Sequence, residues 1–213
     1  MTKNLYIIGA GSHSSVVIDL AISLKYKIIC IVDINSNEIG FEKKFGIPVK
    51  NKSFIKKIKK NSNVFLAIGN NSLRKIQYQK YKSTFKFINL ISKSSKVSKY
   101  SIIGEANYIG ANVIINAGTI IKDNCILNTS SIIEHDVIVD NNVHICPSVT
   151  IGGKCKIGDE SFIGLGSNII DNISIGKKVI LGAGSLVTRK LKSNSMYFGV
   201  PAKRHGIYKD FKK

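Results

Sequence analysis

The chain has 213 residues, of which 44% are hydrophobic, with 18 glycines and 3 prolines. This profile indicates a folded chain and excludes the disordered, collagen-like and proline-rich classes. The formal net charge is +19. Residues 1–96 contain 18 basic and 4 acidic side chains, and residues 187–213 contain 8 basic and 1 acidic. The middle of the chain, residues 97–186, has 6 basic and 8 acidic side chains. Either the lysines at the two ends are solvated surface residues that reflect a biased genome composition, or the charge attracts a polyanionic small molecule to each basic end of the chain.

Several classes of partner have no motif in this sequence. No helix-turn-helix, ribonucleoprotein or zinc-finger pattern is present, so we do not expect nucleic acid to be the partner. The apolar run Leu5 to Ala10 is far shorter than the roughly 18 residues that span a bilayer, which predicts a cytoplasmic protein without a membrane span. The four cysteines lack the paired spacing of zinc sites, and we predict neither a metal nor a disulfide framework: Cys30, Cys125, Cys146 and Cys155.

The first element is a strand that ends in a glycine turn and leads into a helix. Leu5 to Ile8 form the strand, Gly9 to Ser14 form the turn, and an amphipathic run continues to Leu24. Backbone amides in such a turn, and the helix N-terminus behind it, can approach phosphates. Ser14 replaces the third glycine of the dinucleotide fingerprint, so we predict nucleotide binding but not NAD. Asp33, at the end of the next strand, is placed to contact a ribose hydroxyl.

A second strand, Val64 to Ile68, ends in the loop Gly69-Asn70-Asn71-Ser72. Asn71 or Ser72 is a candidate cap for the helix that follows. Arg74 on that helix is either a ligand of the bound substrate or a solvated side chain. Phe85 to Ile91 is predicted to be the last strand of this first domain, a small α/β sandwich with a mostly parallel sheet.

From residue 97 onward every sixth residue is a branched aliphatic. The set is unbroken over sixteen positions: Val97, Ile103, Ile109, Ile115, Ile121, Leu127, Ile133, Val139, Ile145, Ile151, Ile157, Ile163, Ile169, Ile175, Leu181 and Val187. Four residues after most of them comes a second inward position, usually small or β-branched. Glycine often follows the aliphatic directly, where we expect a corner that requires glycine's conformational freedom.

A period of six cannot come from an α-helix, whose apolar face recurs every 3.6 residues. Each hexad is instead predicted to be a short strand plus a turn, and three hexads make one coil of a triangular parallel β-helix. The spacing does not fix the hand of the coil. A β-helix serving only as a scaffold or binding rod is the alternative to a catalytic one.

Glu134-His135-Asp136 interrupts the repeat with three polar residues in succession. A carboxylate beside an imidazole holds it in one tautomer and makes it more basic, which is what a general base requires. His144 lies half a coil later and therefore faces away from His135, so that only a neighbouring subunit would bring the two together. Gly153 lies one coil above His135, where its amide could donate to an oxygen on the same edge.

The motifs named above, together with Asn89-Leu90-Ile91, Asn128-Thr129-Ser130-Ser131 and Phe198-Gly199-Val200-Pro201-Ala202-Lys203-Arg204, resemble the hexapeptide-repeat sugar acetyltransferases. The closest resemblance is to the bacterial UDP-4-amino-sugar N-acetyltransferases of the bacillosamine pathway, and sialic acid O-acetyltransferases form a sister group. The resemblance covers nearly the whole chain. It implies a Rossmann-like nucleotide-sugar-binding α/β domain over residues 1–92 and a left-handed parallel β-helix acyltransferase domain with a tail over residues 93–213.

The resemblance also implies roles for individual residues. His135 is the general base, oriented by Asp136 where the bacillosamine enzyme has Glu, or by Glu134; His144 lies near the reacting sugar. The residues expected to bind the nucleotide sugar share the two loops and strand ends of the first domain: Gly9, Gly11, Ser12, His13, Asp33, Gly69, Asn70, Asn71 and Arg74. Acetyl-CoA is expected at Gly153, whose amide would donate to the acetyl carbonyl, and at Gly164, Ala183, Pro201, Lys203 and Arg204.

These features predict an acetyl-CoA-dependent N-acetyltransferase that acts on the 4-amino group of a nucleotide-linked 4-amino-4,6-dideoxy sugar for bacterial surface glycans. The family implies a homotrimer with the active site between subunits and no metal. UDP is the expected nucleotide, with dTDP and GDP as alternatives. Two other functions remain open: O-acetylation of sialic acid or a related sugar, and a non-catalytic trimer that binds nucleotide sugar or nucleic acid.

Overall fold

A computed structural model of the chain describes residues 3–35 and 43–207. Its contacts divide into two compact units, Met1–Leu90 and Ile91–Lys213. No helix in the described ranges has the length and hydropathy required to cross a membrane.

The first unit alternates strands and helices. Its elements are β1 (Lys3–Ile8), α1 (His13–Ser23), β2 (Tyr26–Asp33), β3 (Lys43–Lys44), β4 (Ile47–Asn51), a 3₁₀ segment (Lys52–Lys57), β5 (Asn63–Leu66), α2 (Asn71–Tyr81) and β6 (Lys86–Phe87). The sheet order is β3-β4-β2-β1-β5-β6, and only the β3–β4 pair is antiparallel. Its central strands are buried apolar runs, as expected of a parallel sheet covered on both faces.

The predicted α/β unit is confirmed, but two details of the prediction were wrong. The hairpin of β3 and β4 was not predicted. The single strand predicted over residues 85–91 is two short strands, β6 and β7 (Leu90–Ile91), which belong to different sheets.

The second unit is a parallel β-helix of very short strands. They are β7 (Leu90–Ile91), β8 (Lys96–Val97), β9 (Ile102–Ile103), β10 (Tyr108–Ile109), β11 (Ile114–Ile115), β12 (Ile120–Ile121), β13 (Ile126–Leu127), β14 (Ile132–Ile133), β15 (Ile138–Val139), β16 (His144–Ile145), β17 (Thr150–Ile151), β18 (Lys156–Ile157), β19 (Phe162–Ile163), β20 (Asn168–Ile169), β21 (Ser174–Ile175), β22 (Val179–Leu181), β23 (Leu186–Val187), β24 (Ser195–Phe198) and β25 (Lys203–Ile207).

The strands form three faces, named here by their members. Face A contains β7, β10, β13, β16, β19 and β22 and is extended by β24 and β25; face B contains β8, β11, β14, β17, β20 and β23; face C contains β9, β12, β15, β18 and β21. Ile114 pairs with Ile132 and Ile132 with Thr150, so each strand lies 18 residues from its neighbour and three hexads complete a coil. The predicted triangular β-helix is confirmed.

The interior of the β-helix is filled by the aliphatic repeat. Ile121, Ile133 and Ile145 are fully buried, as are the second inward residues Val137 and Val143. Several small polar residues at this second position are satisfied across coils. Thr119 Oγ1, for example, donates to the Glu134 carbonyl 2.7 Å away and accepts from the Val137 amide at 3.3 Å.

The reason for the recurring glycines differs from the prediction. From Ile103 to Leu181 the left-handed conformation falls three residues after each aliphatic, usually on a non-glycine such as Asn124, Asp136 or Asn142. The glycines directly after the aliphatics allow close approach between coils: a Cβ on Gly158 would lie 2.5 Å from the Gly176 carbonyl carbon. These glycines are therefore required by packing and not by their own backbone conformation.

Candidate active site

His135 lies in the turn from face B to face C, directly after β14. Its Nδ1 lies 2.9 Å from Asp136 Oδ2, and about half of each side chain is exposed. Asp136 has a φ of 59°, and its carboxylate occupies space left by Gly118 on the preceding coil, where a Cβ would collide with Oδ1. If Nδ1 donates its hydrogen to Asp136, then Nε2 is the unprotonated nitrogen and can accept a proton.

Glu134, the other candidate for orienting His135, is engaged elsewhere. Its Oε2 accepts a hydrogen bond of 2.8 Å from Nδ2 of Asn116, one coil below. The carboxylate that contacts the imidazole is thus Asp136. Catalytic roles for His135, Asp136 and Glu134 stay predictions at this point.

Gly153, one coil above His135, lies close to its ring. A Cβ on Gly153 would lie 2.7 Å from both Cε1 and Nε2. The Gly153 amide donates to Asp171 Oδ1 at 2.7 Å, so the structure does not offer it as a free donor. Binding of an acetyl carbonyl there requires this bond to be shared or broken.

His144 lies on β16, which belongs to face A. Its ring packs edge-on against Phe162, with 5.0 Å between the ring centroids. Face A is opposite the corner between faces B and C, so one β-helix does not bring His135 and His144 together. This agrees with the half-coil spacing between them.

The residues predicted to hold acetyl-CoA fall into three places. Gly164 and Ala183 lie on adjacent coils at the corner between faces A and B, and a Cβ on Gly164 would lie 2.6 Å from the Ala183 nitrogen. Gly153 lies at the other corner of face B. Pro201 lies in the turn before β25, and exposed Lys203 and Arg204 begin that strand. Arg204 Nε donates to Ser195 Oγ at 3.0 Å, so part of its hydrogen-bonding capacity is already used.

In the first unit the predicted ligand residues converge at one edge of the sheet. The glycine turn follows β1, the second loop follows β5, and Asp33 ends β2; β1 lies between β2 and β5. The two loops are closely packed, because a Cβ on Gly9 would lie 2.7 Å from the Ala67 carbonyl oxygen. This is the edge at which parallel α/β sheets bind ligands. Asp33 Oδ1 accepts from the Asn35 amide at 2.9 Å.

His13 begins α1 and is partly buried between the loops. A Cβ on Gly69 would lie 3.9 Å from the His13 Cβ, which places the ring-bearing residue beside the second loop. Burial, and to a lesser degree the positive charge of Arg74, lowers the pKa of His13 to about 4. His13 is therefore neutral at pH 7 and can take part in ligand binding only as a neutral hydrogen-bonding group.

In the second loop the predicted helix cap was wrong, and one of the two alternatives for Arg74 is excluded. The helix cap is Asn70, whose Oδ1 accepts from the Leu73 amide at 2.8 Å, and not Asn71 or Ser72. Arg74 is not a solvated residue, since it is 1% exposed. Its guanidinium donates to the carbonyls of Ile68 and Gly69 at 3.0 and 3.2 Å and to Asn71 Oδ1 at 2.8 Å. Arg74 thus supports the loop from beneath.

The cysteines have the properties of core residues. All four are buried free thiols. Burial raises the pKa of Cys146 to about 12, and burial outweighs the charge of Lys50 to raise the pKa of Cys30 to about 11. Neither is a thiolate at neutral pH, so neither is prepared to carry an acyl group. Within residues 3–35 and 43–207 no cluster of three or more His, Cys, Asp and Glu could hold a metal ion.

Three residues in this geometry were not singled out from the sequence: Asn116, Gly118 and Asp171. Asn116 and Gly118 lie 18 residues before Glu134 and Asp136, and Asp171 lies 18 residues after Gly153. Residues 18 positions apart lie at the same corner of adjacent coils. Counting 18 residues back from Glu134 and Asp136 and forward from Gly153 would therefore have identified all three.

Comparison with known proteins identifies relatives for both units. Residues 4–81 match the PglD N-terminal domain family. A crystal structure of a perosamine N-acetyltransferase variant from Caulobacter crescentus, in complex with CoA and GDP-perosamine, is 30% identical, with a TM-score of 0.88, and the match covers 97% of this chain and 98% of that one.

The acetyltransferase domain of PglB from Neisseria gonorrhoeae, in complex with acetyl coenzyme A, is 31% identical with a TM-score of 0.86, over 96% of this chain and 100% of that domain. WeeI from Acinetobacter baumannii shares the fold at 21% identity and a TM-score of 0.84, over 96% of this chain and 100% of that one. The left hand expected for the β-helix is confirmed by these similarities.

Proposed function

Because the chain belongs to the hexapeptide-repeat sugar acetyltransferases of the PglD and NeuD type, we propose that it transfers the acetyl group of acetyl-CoA to the 4-amino group of a nucleotide-linked 4-amino-4,6-dideoxy sugar. One observation carries the choice of mechanism. The His135 imidazole is held through Nδ1 by Asp136 at 2.9 Å, which leaves Nε2 as the nitrogen that can take a proton. The solved relatives that hold CoA with GDP-perosamine, or acetyl-CoA, support the choice of substrates.

The reaction is a direct transfer within a ternary complex. The sugar amine attacks the thioester carbonyl while His135 Nε2 takes a proton from the nitrogen. The tetrahedral intermediate then collapses, the carbon–sulfur bond breaks, and the leaving thiolate receives the proton from His135 to become free CoA. Burial keeps Cys30 and Cys146 protonated, which supports a route without a covalent enzyme intermediate.

The developing oxyanion needs a hydrogen-bond donor. The Gly153 amide is close to the His135 ring but donates to Asp171 at 2.7 Å. We propose that the acetyl carbonyl shares or replaces this carboxylate when acetyl-CoA binds. The basic residues Lys203 and Arg204 are proposed to bind the phosphates of CoA.

The active unit is proposed to be a homotrimer with sites between neighbouring β-helices. His135 and His144 lie on opposite sides of one β-helix, so a second copy is needed to complete a site that uses both. Outward isoleucines on faces B and C, such as Ile114, Ile120, Ile132 and Ile138, are partly buried in the single chain and offer apolar surface for such contacts.

The test is release of CoA thiol from acetyl-CoA by the purified chain. The acceptors are UDP-, dTDP- and GDP-linked 4-amino sugars, with sialic acid beside them. We expect turnover with one amino sugar, and a loss of about 10²- to 10⁴-fold in turnover for His135→Ala with unchanged acetyl-CoA affinity. Lys99→Ala, at the same corner two coils away, is the matched control.

Turnover with sialic acid but with none of the amino sugars would make the protein an O-acetyltransferase. Turnover with no acceptor, or wild-type turnover by His135→Ala, would overturn the proposal.

A further inference from the structure

Lys44 lies across the glycine turn of the first unit. Its Nζ donates to the carbonyl oxygens of Ala10 at 3.2 Å and Gly11 at 2.8 Å, and to Ser14 Oγ at 2.7 Å. These three contacts account for the three ammonium hydrogens, and all are made to neutral oxygens. A full positive charge is thereby fixed at the turn, and within residues 3–35 and 43–207 no carboxylate pairs with it.

Ser14 explains why this turn departs from the dinucleotide fingerprint. The residue is fully buried, and its hydroxyl donates to the Gly11 carbonyl at 2.7 Å while accepting from Lys44. A glycine here would lose the acceptor for Lys44. The serine and the lysine therefore form one unit, although 30 residues separate them in the sequence.

The hydrogen bonds from Lys44 to the two carbonyls fix the direction of the two amides that follow them. In a trans peptide the C=O and the next N–H point in opposite directions. Because the carbonyls of Ala10 and Gly11 point towards Lys44, the amides of Gly11 and Ser12 point away from it. Both residues are exposed, and in the described part of the chain neither amide donates to a protein oxygen.

We propose that Lys44 is a positioning residue for the diphosphate of the nucleotide sugar: it holds the Gly11 and Ser12 amides outward as phosphate ligands and adds its own charge behind them. This inference rests on the proposed function. Lys44 lies on β3, a strand without a predicted site residue. By binding the diphosphate more tightly, the turn that Lys44 supports would distinguish a nucleotide-linked sugar from a free sugar.

The experiment measures nucleotide binding by calorimetry on the full chain, with UDP, dTDP and GDP as separate probes. The variants are Lys44→Met, Lys44→Arg and Ser14→Ala, and the matched control is Lys43→Met, which removes the same charge from the adjacent exposed position. We expect Lys44→Met to weaken binding of the nucleotide preferred by the wild type about tenfold or more, because the turn loses the hydrogen bonds that orient its amides and the positive charge behind them. Lys44→Arg should recover part of the loss, and Ser14→Ala should be intermediate.

Steady-state kinetics separates positioning from a general structural role. Lys44→Met should raise KM for the nucleotide sugar while kcat and KM for acetyl-CoA stay within about twofold of wild type. Equal nucleotide affinity in Lys44→Met and wild type would overturn the role of Lys44 and leave the proposed function intact. If the wild type binds none of the three nucleotides, the proposed function fails and this inference fails with it.

Discussion

The imidazole of His135 lies across Gly153, so that a Cβ on that glycine would stand 2.7 Å from Nε2. Gly153 does not have a positive φ, and alanine is therefore compatible with the backbone. We expect Gly153→Ala to push the ring aside and lower turnover at least about tenfold, with little change in melting temperature, because a displacement of this size spoils catalytic geometry. Steady-state kinetics and thermal unfolding measure the two effects.

The double variant His135→Ala, Gly153→Ala is the control for this prediction. If the methyl group acts through the ring, it should add nothing to the effect of His135→Ala alone. Additive losses would mean that Gly153 acts independently of His135.

Asp136 and Glu134 should differ in their effect on turnover. Asp136→Asn removes the charge that orients His135 at 2.9 Å, whereas Glu134→Gln keeps an oxygen able to accept from Asn116. We expect Asp136→Asn to cause the larger loss of turnover, because the side chain that contacts His135 Nδ1 loses its charge. Equal losses of turnover for both variants would contradict the assignment of Asp136.

Asp171→Ala tests whether the hydrogen bond between the Gly153 amide and Asp171 affects turnover. Losing the 2.7 Å bond should lower the free energy of unfolding by about 1 kcal/mol, while turnover is maintained because the amide becomes available to the acetyl carbonyl. Asp123→Ala is a matched variant, since Asp123 Oδ1 accepts from the Glu105 amide at 3.0 Å at another corner. It should lose similar stability. A large loss of turnover in Asp171→Ala alone would give Asp171 a direct part in catalysis.

His13 should make stability depend on pH. Burial lowers its pKa from 6.5 to about 4 in the folded chain, so between these pH values the unfolded chain binds more protons. The free energy of unfolding should therefore fall by about 3 kcal/mol as the pH drops from 6.5 to 4, and the contribution is fully present above pH 6.5. Urea unfolding of wild type and His13→Gln at several pH values isolates this contribution. Stability differences that do not change with pH would contradict it.

A site shared between subunits can be tested by mixing two inactive variants. His135→Ala and His144→Ala should each reduce turnover sharply. If trimers assemble at random from equal amounts of both, about one quarter of the sites receive both wild-type histidines when the two come from different chains. Co-expression with distinct affinity tags, followed by activity measurement, checks this recovery. Mixed trimers without recovered activity would place both histidines in one chain's site or remove one from catalysis.

The sequence was most informative where the fold repeats. A side chain at every sixth position from Val97 to Val187 has the same surroundings, so one hexad describes all the others. This made the three-sided coil, the inward residues and the opposite placement of His135 and His144 predictable. The first unit has no such redundancy, and its hairpin of β3 and β4 was missed because Lys43–Lys44 is too short to show alternation.

The contacts that the sequence did not reveal are hydrogen bonds between distant residues. Gly153 with Asp171, and Lys44 with Ser14, depend on which way a particular amide or ammonium points, and neither hydropathy nor spacing reports that direction. Arg74 is a similar case. Its charge suggests solvent, yet carbonyls at 3.0 and 3.2 Å and Asn71 at 2.8 Å allow it to be buried.

The pairing of each strand with the one 18 residues away limits how such a chain can change in length. Deleting a whole coil would shorten the β-helix by about 4.8 Å and leave every other residue at its own corner. Deleting a single hexad would instead rotate everything beyond it by one face, and a loss between His135 and Gly153 would carry the glycine to a different corner. The length of the β-helix can therefore change by duplication or loss of whole coils, as long as the interval between His135 and Gly153 stays fixed.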